Sequence, residues 1–325
     1  MKPGKVSEPV LIRSIIKPIK KQNDVILEGA AVGNDAALID VAGRKILAST
    51  ETVTDKKEYQ KARAFIRSVN NCLAKGGIPI SAQVSIVIPE NMRESGLKNI
   101  MEEMVFAAEK LNCPISGGHT EVSSYVQTPV VTVTTMAAVI SDTGDALSLK
   151  NIKPGQDIVV TNYIGLEGSA ILAMKEMEFF KTKFSSGYID NILEYINEIS
   201  IYNEAAVASK HGVTAMHDLS ENGIFGALWE IGEAGNCGVE IDLRNIPVHQ
   251  ETIELCEYFD INPYQMPSSG ALLIITDDGK ALKEKYLSVG INAQVIGTTT
   301  LGNDKVIVNN EERRYLEPPK MEKMV

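Results

Sequence analysis

The chain has 325 residues, 44% of them hydrophobic and 23% charged, with a formal net charge of −10. That length and balance describe a globular protein of about two domains, and the acidic charge argues against nucleic-acid binding by phosphate neutralisation. No stretch approaches the ~18–20 apolar residues of a membrane span, and MKPGKVSEPVL has no signal-peptide core, so a soluble, cytoplasmic protein is expected.

In chain order, residues 36–41 and 45–50 read as two strands joined by the turn at Gly43. Residues 56–76 read as a helix, with Ala62, Phe65, Ile66, Val69, Leu73 and Gly76 at three- and four-residue steps, ended by Gly76-Gly77 and Pro79. A strand at 80–88, a helix at 94–111, a strand at 113–116 ending in Gly117-Gly118, and a β-rich run at 126–140 follow. The polar residues 141–156 read as the boundary between domains. Beyond it the pattern predicts a strand at 157–163, a helix opened by GLEGSA, a long helical region over 188–210 and the turn HDLSENG. Helices at 224–234, 249–258 and 279–288 then alternate with strands at 238–243, 270–276, 293–298 and 305–309. The cysteines Cys72, Cys113, Cys237 and Cys256 are too widely spaced for a zinc knuckle or redox pair and are expected to be reduced and mostly buried.

Four polar sites stand out. Asn34-Asp35 precedes the strand of 36–41, and Ser49-Thr50-Glu51 ends its hairpin partner, so Asp35 and Glu51 should share one end of the hairpin. Two carboxylates there call for a cation, and magnesium suits oxygen ligands that also bridge phosphates. Turn formation and helix capping are the plain alternative for the same residues. Asn70-Asn71 sits within the helix of 56–76 beside apolar Val69 and Leu73, where asparagine needs a polar contact or a ligand. SGGHTEV, 116–122, puts His119 and Thr120 directly after two glycines that let backbone approach a ligand. There is no P-loop, and GLEGSA lacks the full dinucleotide pattern.

Taken in order, these segments resemble the aminoimidazole ribonucleotide (AIR) synthetase superfamily (PurM-like), which includes selenophosphate synthetase, thiamine monophosphate kinase and the dehydratase of nickel–iron hydrogenase maturation. GNDAALI, STETVT, VNNCLAKGGIP, SGGHTEV and MHDLSENGIFGALWEIGEAGNCGVEID carry the resemblance, and the hydrogenase-maturation (HypE-like) branch is the nearest. It implies an α/β (α+β) fold of two domains: residues 1–142, with a mixed sheet that forms a homodimer, a linker at 143–156, and an α/β domain at 157–325. It implies ATP and Mg2+ as cofactors and phosphorylation of an amide or carbonyl oxygen on a small or carrier-borne substrate, with a protein partner in addition. Asp35, Glu51, Asn71 and His119 would be the metal residues. Lys5, Asp35, Ser49, Thr50, Gly117, Gly118 and Thr120 would hold the nucleotide. Asp218 and His119 would be catalytic, although Lys5 also reads as a solvated lysine and Asp218 as a cap of the following helix.

The departures matter. Acidic family positions appear here as Asn34, Asn71 and His119, which lowers the charge available to a metal. The chain ends in Met324-Val325, so the reaction that the maturation dehydratase performs on a carboxy-terminal cysteine is not expected on its own tail. A nucleotide-binding partner or sensor without catalysis, and a small-molecule kinase like thiamine monophosphate kinase, are the alternatives.

Overall fold

Alternation of apolar and polar residues along the first half of the chain has the period of a strand with one dry face. The computed structural model describes residues 6–19, 24–54, 61–139 and 145–319. They divide into two units, each with its own sheet. The chain starts with a short helix, α1 (Glu8–Leu11), prolonged by a wider turn at Ile12–Ile16. This segment and residues 30–34 group with the carboxy-terminal unit, whereas the strand at Ile26–Glu28 and the chain from Asp35 belong to the amino-terminal unit.

The amino-terminal unit contains β1 (Ile26–Glu28), β2 (Ala37–Val41), β3 (Arg44–Val53), α2 (Ala62–Leu73), β4 (Gly77–Pro89), α3 (Glu94–Lys110), β5 (Ile115–Ser123) and β6 (Val130–Val139). Its six-stranded sheet has the order β1-β2-β3-β6-β4-β5, with β4 and β5 parallel and the other neighbours antiparallel. Helix α2 packs on β3 and β6, and α3 packs on α2. Leu47, Phe65, Val69, Cys72, Val133 and Ala137 are buried between helix and sheet. The opposite face is open. There Thr50 pairs with Thr134 and Thr52 with Thr132, each at 3.0 Å between hydroxyls, and Ile78 and Ile80 are exposed.

The carboxy-terminal unit follows as β7 (Asp157–Thr161), α4 (Leu166–Lys175), α5 (Met177–Lys183), α6 (Ser186–Glu194), α7 (Tyr202–His211), β8 (Ala215–Asp218), α8 (Gly223–Gly235) and β9 (Gly238–Asp242). It closes with α9 (Gln250–Phe259), β10 (Leu272–Thr276), α10 (Gly279–Ser288), β11 (Ala293–Thr300), β12 (Lys305–Asn309) and β13 (Glu312–Tyr315). The seven-stranded sheet runs β13-β12-β9-β11-β7-β10-β8. The central strands β7 and β10 are apolar and buried almost throughout, as strands covered on both faces must be.

The expected elements recur with instructive shifts. The helical region expected over 188–210 is two helices, because the chain turns at Tyr195–Glu198 and Ile199 and Ile201 are buried between them. Strand β5 does not stop at the glycines but runs to Ser123. The later part of the polar stretch 141–156 is not a free linker: Leu149 and Ile152 are buried in the core of the carboxy-terminal unit. Short α5 and β13 carry too little periodicity to be read from sequence.

All four cysteines are unpaired and buried, and burial pushes the Cys72 and Cys256 thiols up to about 12 and Cys113 up to about 11. Among the described residues no helix is long and apolar enough to cross a membrane.

In α7, burial raises the carboxyl of Glu204, opposed by a hydrogen bond from Asn162 at 3.0 Å. A raised acid binds its proton more tightly in the folded state, so stability falls as pH rises from about 4.3 through the raised value. Glu204→Gln is expected to melt higher than the wild type at pH 7, with the gap closing near pH 4, in thermal unfolding at the two pH values.

Candidate functional site

Ser49 lies where β3 passes beneath α2, on the face turned toward the helix. Its hydroxyl donates to the backbone oxygen of Asp35 at 3.0 Å and accepts from Asn71 Nδ2 at 2.8 Å. The same Asn71 amide donates to Glu51 Oε1 at 3.0 Å. Residues 49 and 51 share a face because side chains on a strand alternate. An ionised carboxylate only accepts, so it is the NH2 edge of Asn71 that faces Glu51.

One helical turn before Asn71, on the same side of α2, Arg67 places its guanidinium 3.6 Å from Glu51 Oε2. The Arg67 side chain is 5% exposed and that of Glu51 22%. Ser68 donates to the backbone oxygen of Ser49 at 3.1 Å and accepts from the backbone N–H of Thr135 at 3.1 Å, tying the helix to β3 and β6. Nearby, Lys75 pairs with Glu28 at 2.6 Å.

The backbone oxygen of Asp35 and the side chains of Ser49, Glu51 and Asn71 thus form one hydrogen-bonded group. The hairpin end places the first three together, and α2 brings the fourth across. Thr50 does not join them. Alternation turns it to the open face, where Thr134 holds its hydroxyl.

His119 and Thr120 do not join them either, and the expectation that His119 shares a site with Glu51 and Asn71 is not met within one chain. Glu51 is opposite Val133, Val133 opposite Val84, and Val84 opposite Gly118. The segment SGGHTEV therefore lies three strands from Glu51, about 14 Å at the usual strand spacing. His119 is opposite Ser85, which is opposite Thr132 on the open face, whereas Glu51 faces α2. His119 is exposed and meets Glu121 at 3.1 Å.

Gly117 and Gly118 lie inside β5 rather than at its end. A Cβ on Gly118 would stand 1.7 Å from the backbone oxygen of Val84, at a φ of +154°. Close approach of two strands explains that glycine without a phosphate. Lys5 lies outside the described residues.

In the carboxy-terminal unit Asp218 ends β8 and is 3% exposed. It is not the cap of α8, whose cap position is Asn222. Its neighbour His217 is buried and meets Glu230 of α8 at 3.0 Å. GLEGSA is core: Glu167 is fully buried within α4. Sequence reading missed Arg67 and Ser68. The signal was available in the four-residue steps Arg63, Arg67, Asn71, which line a polar edge on a helix otherwise read by its apolar residues.

Comparison with known proteins covers most of the chain. Residues 33–139 match the family model for the AIR synthase related protein, N-terminal domain, and residues 153–309 the model for its C-terminal domain. A hydrogenase expression/formation protein of Methanocaldococcus jannaschii is 25% identical, over 97% of this chain and 94% of its own length. Carbamoyl dehydratase HypE of Rhodobacter capsulatus is 23% identical, over 78% of this chain and 74% of that protein. Among solved structures, a chain of a HypE–HypF complex superposes with a TM-score of 0.80 at 22% identity, covering 95% of this chain and 99% of that one. HypE in complex with ATP superposes with a TM-score of 0.70 at 17% identity, covering 98% and 96%.

Proposed function

Because the chain belongs to the AIR synthase related family, we propose that it binds ATP and uses it to activate an amide or carbonyl oxygen of a small or carrier-borne substrate, as a hydrogenase-maturation-type protein. The relatives named for hydrogenase formation and carbamoyl dehydration support the reaction class, and the HypE–ATP structure supports the nucleotide. The observation that carries the reading in this chain is a charge pattern. In a protein of net charge −10, residues 61–76 hold four cations, Lys61, Arg63, Arg67 and Lys75, and no carboxylate. All four are buried. Arg67 meets Glu51 within the group formed by Asp35, Ser49, Glu51 and Asn71, while Lys75 pairs with Glu28 and Lys61 donates to the backbone oxygen of Pro129, so a cation-rich helix lies against a polar site, the kind of surface that phosphate binding uses.

When bound, ATP supplies a phosphoryl group that turns an oxygen into a good leaving group. The cations of α2 offset phosphate charge, and the Ser49–Asn71 hydrogen bond fixes the edge against which it lies. In the carboxy-terminal unit, Asp218 is the residue proposed to act on the acceptor. HypF in the HypE–HypF structure supports a protein partner of similar kind, and four unpaired, buried thiols support a reducing, cytoplasmic setting. Isothermal titration of the full chain with ATP is expected to show saturable binding with a Kd at or below about 1 mM, roughly −4 kcal/mol. Absence of binding at several times that concentration would remove the basis of the proposal.

A second reading, a nucleotide-binding partner without turnover, is favoured by the neutral side chain at Asn71. It predicts binding without ADP release in the presence of any acceptor.

The family resemblance also implies magnesium, and the donors beside Glu51 do not fit it. Glu51 is already paired with a guanidinium, the amide of Asn71 presents hydrogens to it, and His119 is on another strand and the other face.

The open face of the amino-terminal sheet is the surface proposed for a second copy of the chain. Ile78 and Ile80 are each 49% exposed on it. Ile80→Asp is expected to convert a dimer to monomer in light scattering coupled to gel filtration. An unchanged mass would contradict that placement.

A further inference from the structure

We infer that Arg67 takes the place of a metal ion at Glu51, so that this carboxylate is compensated by the chain's own guanidinium and does not bind a divalent cation. Three observations converge. Arg67 and Asn71 stand one turn apart on α2 and address the two oxygens of the same carboxylate, one by charge at 3.6 Å and one by a hydrogen bond at 3.0 Å. Arg67 is buried, with a side chain 5% exposed, so its charge is poorly screened and fixed in place. Asn71 also spends a hydrogen on Ser49 at 2.8 Å, so turning its carbonyl oxygen toward a cation would break both bonds at once.

A divalent ion seated at Glu51 would meet a guanidinium and an amide NH2, both of which repel it. Magnesium needs near-ideal octahedral oxygen ligation and dehydrates reluctantly, which makes so crowded a carboxylate a poor ligand. The guanidinium leaves the carboxylate neutralised with no ion to lose. The inference shares residues with the proposed nucleotide site, and its test needs no nucleotide.

The test is titration of the full chain with Mn2+ alone, free ion being read by electron paramagnetic resonance. The wild type and Glu51→Gln are expected to bind Mn2+ within twofold of each other. Arg67→Met, which keeps length and removes charge, is expected to strengthen Mn2+ binding at least about tenfold. That gain should vanish in the double variant Arg67→Met/Glu51→Gln. Wild-type Mn2+ binding that Glu51→Gln weakens tenfold would overturn the inference, as would a folded Arg67→Met with unchanged affinity. Should Arg67→Met fail to fold, the comparison of wild type with Glu51→Gln decides alone. A chain that binds no ATP would end the proposed function and leave this result standing.

Discussion

Gly118→Ala is expected to destabilise the amino-terminal unit by about 3–5 kcal/mol, combining backbone strain with an overpacked contact. The residue sits in the middle of β5, and an added Cβ would overlap the backbone oxygen of Val84, 1.7 Å away. Backbone cannot step aside as a flexible side chain could. Relief requires β5 to part from β4, its one neighbour in the sheet among the described residues. A loss of that size is a large part of the stability of an ordinary domain. Denaturant unfolding should show an early transition, and amide hydrogen exchange should accelerate along β4 and β5 first. If the glycine served only to admit phosphate, the variant would instead keep its stability and lose nucleotide affinity. The two accounts of the same residue therefore separate in one experiment.

Asn71→Leu carries the second large effect. The substitution keeps side-chain size while removing both donors, so Ser49 and Glu51 each lose a partner in a mostly buried place. The charged bond contributes about 1.5–3 kcal/mol and the neutral one about 0.5–1.5, so a loss of roughly 2–4 kcal/mol is expected. ATP affinity should fall at least about tenfold, because the edge proposed to meet the nucleotide is no longer held. Asn71→Asp is the informative companion. It returns a carboxylate to the position but sets two negative charges against each other beside Arg67. It is expected to bind Mn2+ more tightly than the wild type does. Indifference of both variants to ATP would move the nucleotide elsewhere.

Much of this site was legible in the sequence, for physical reasons that also explain what was not. The meeting of the Asp35 backbone with Ser49 follows from local pairing in a hairpin, where sequence distance and spatial distance agree. Asn71 was legible as a polar residue that a helix interior does not favour. His119 was misplaced because its position depends on sheet order, and order is non-local. Strand β6 inserts beside β3, β4 follows, and only then does β5 join, in parallel. Nothing within SGGHTEV records that. Thr50 failed for a simpler reason, since its neighbour Ser49 was read with it although strand alternation puts them on opposite faces. Arg67 was passed over because its helix was read by its apolar residues, whereas here a carboxylate from β3 meets it in the interior. The segments 6–19 and 30–34, which lie on either side of β1 in sequence, group with the second unit, and no composition shift marks this.

The fold places a cation-rich helix against a hairpin end, and the central claim is that ATP binds there. Hydrogen–deuterium exchange of the full chain with and without saturating ATP tests it most directly. Slowed exchange is expected across 35–37, 47–53 and the turn of α2 that carries Arg67 and Asn71. Protection confined to other segments, with these unchanged while ATP is bound, would contradict it.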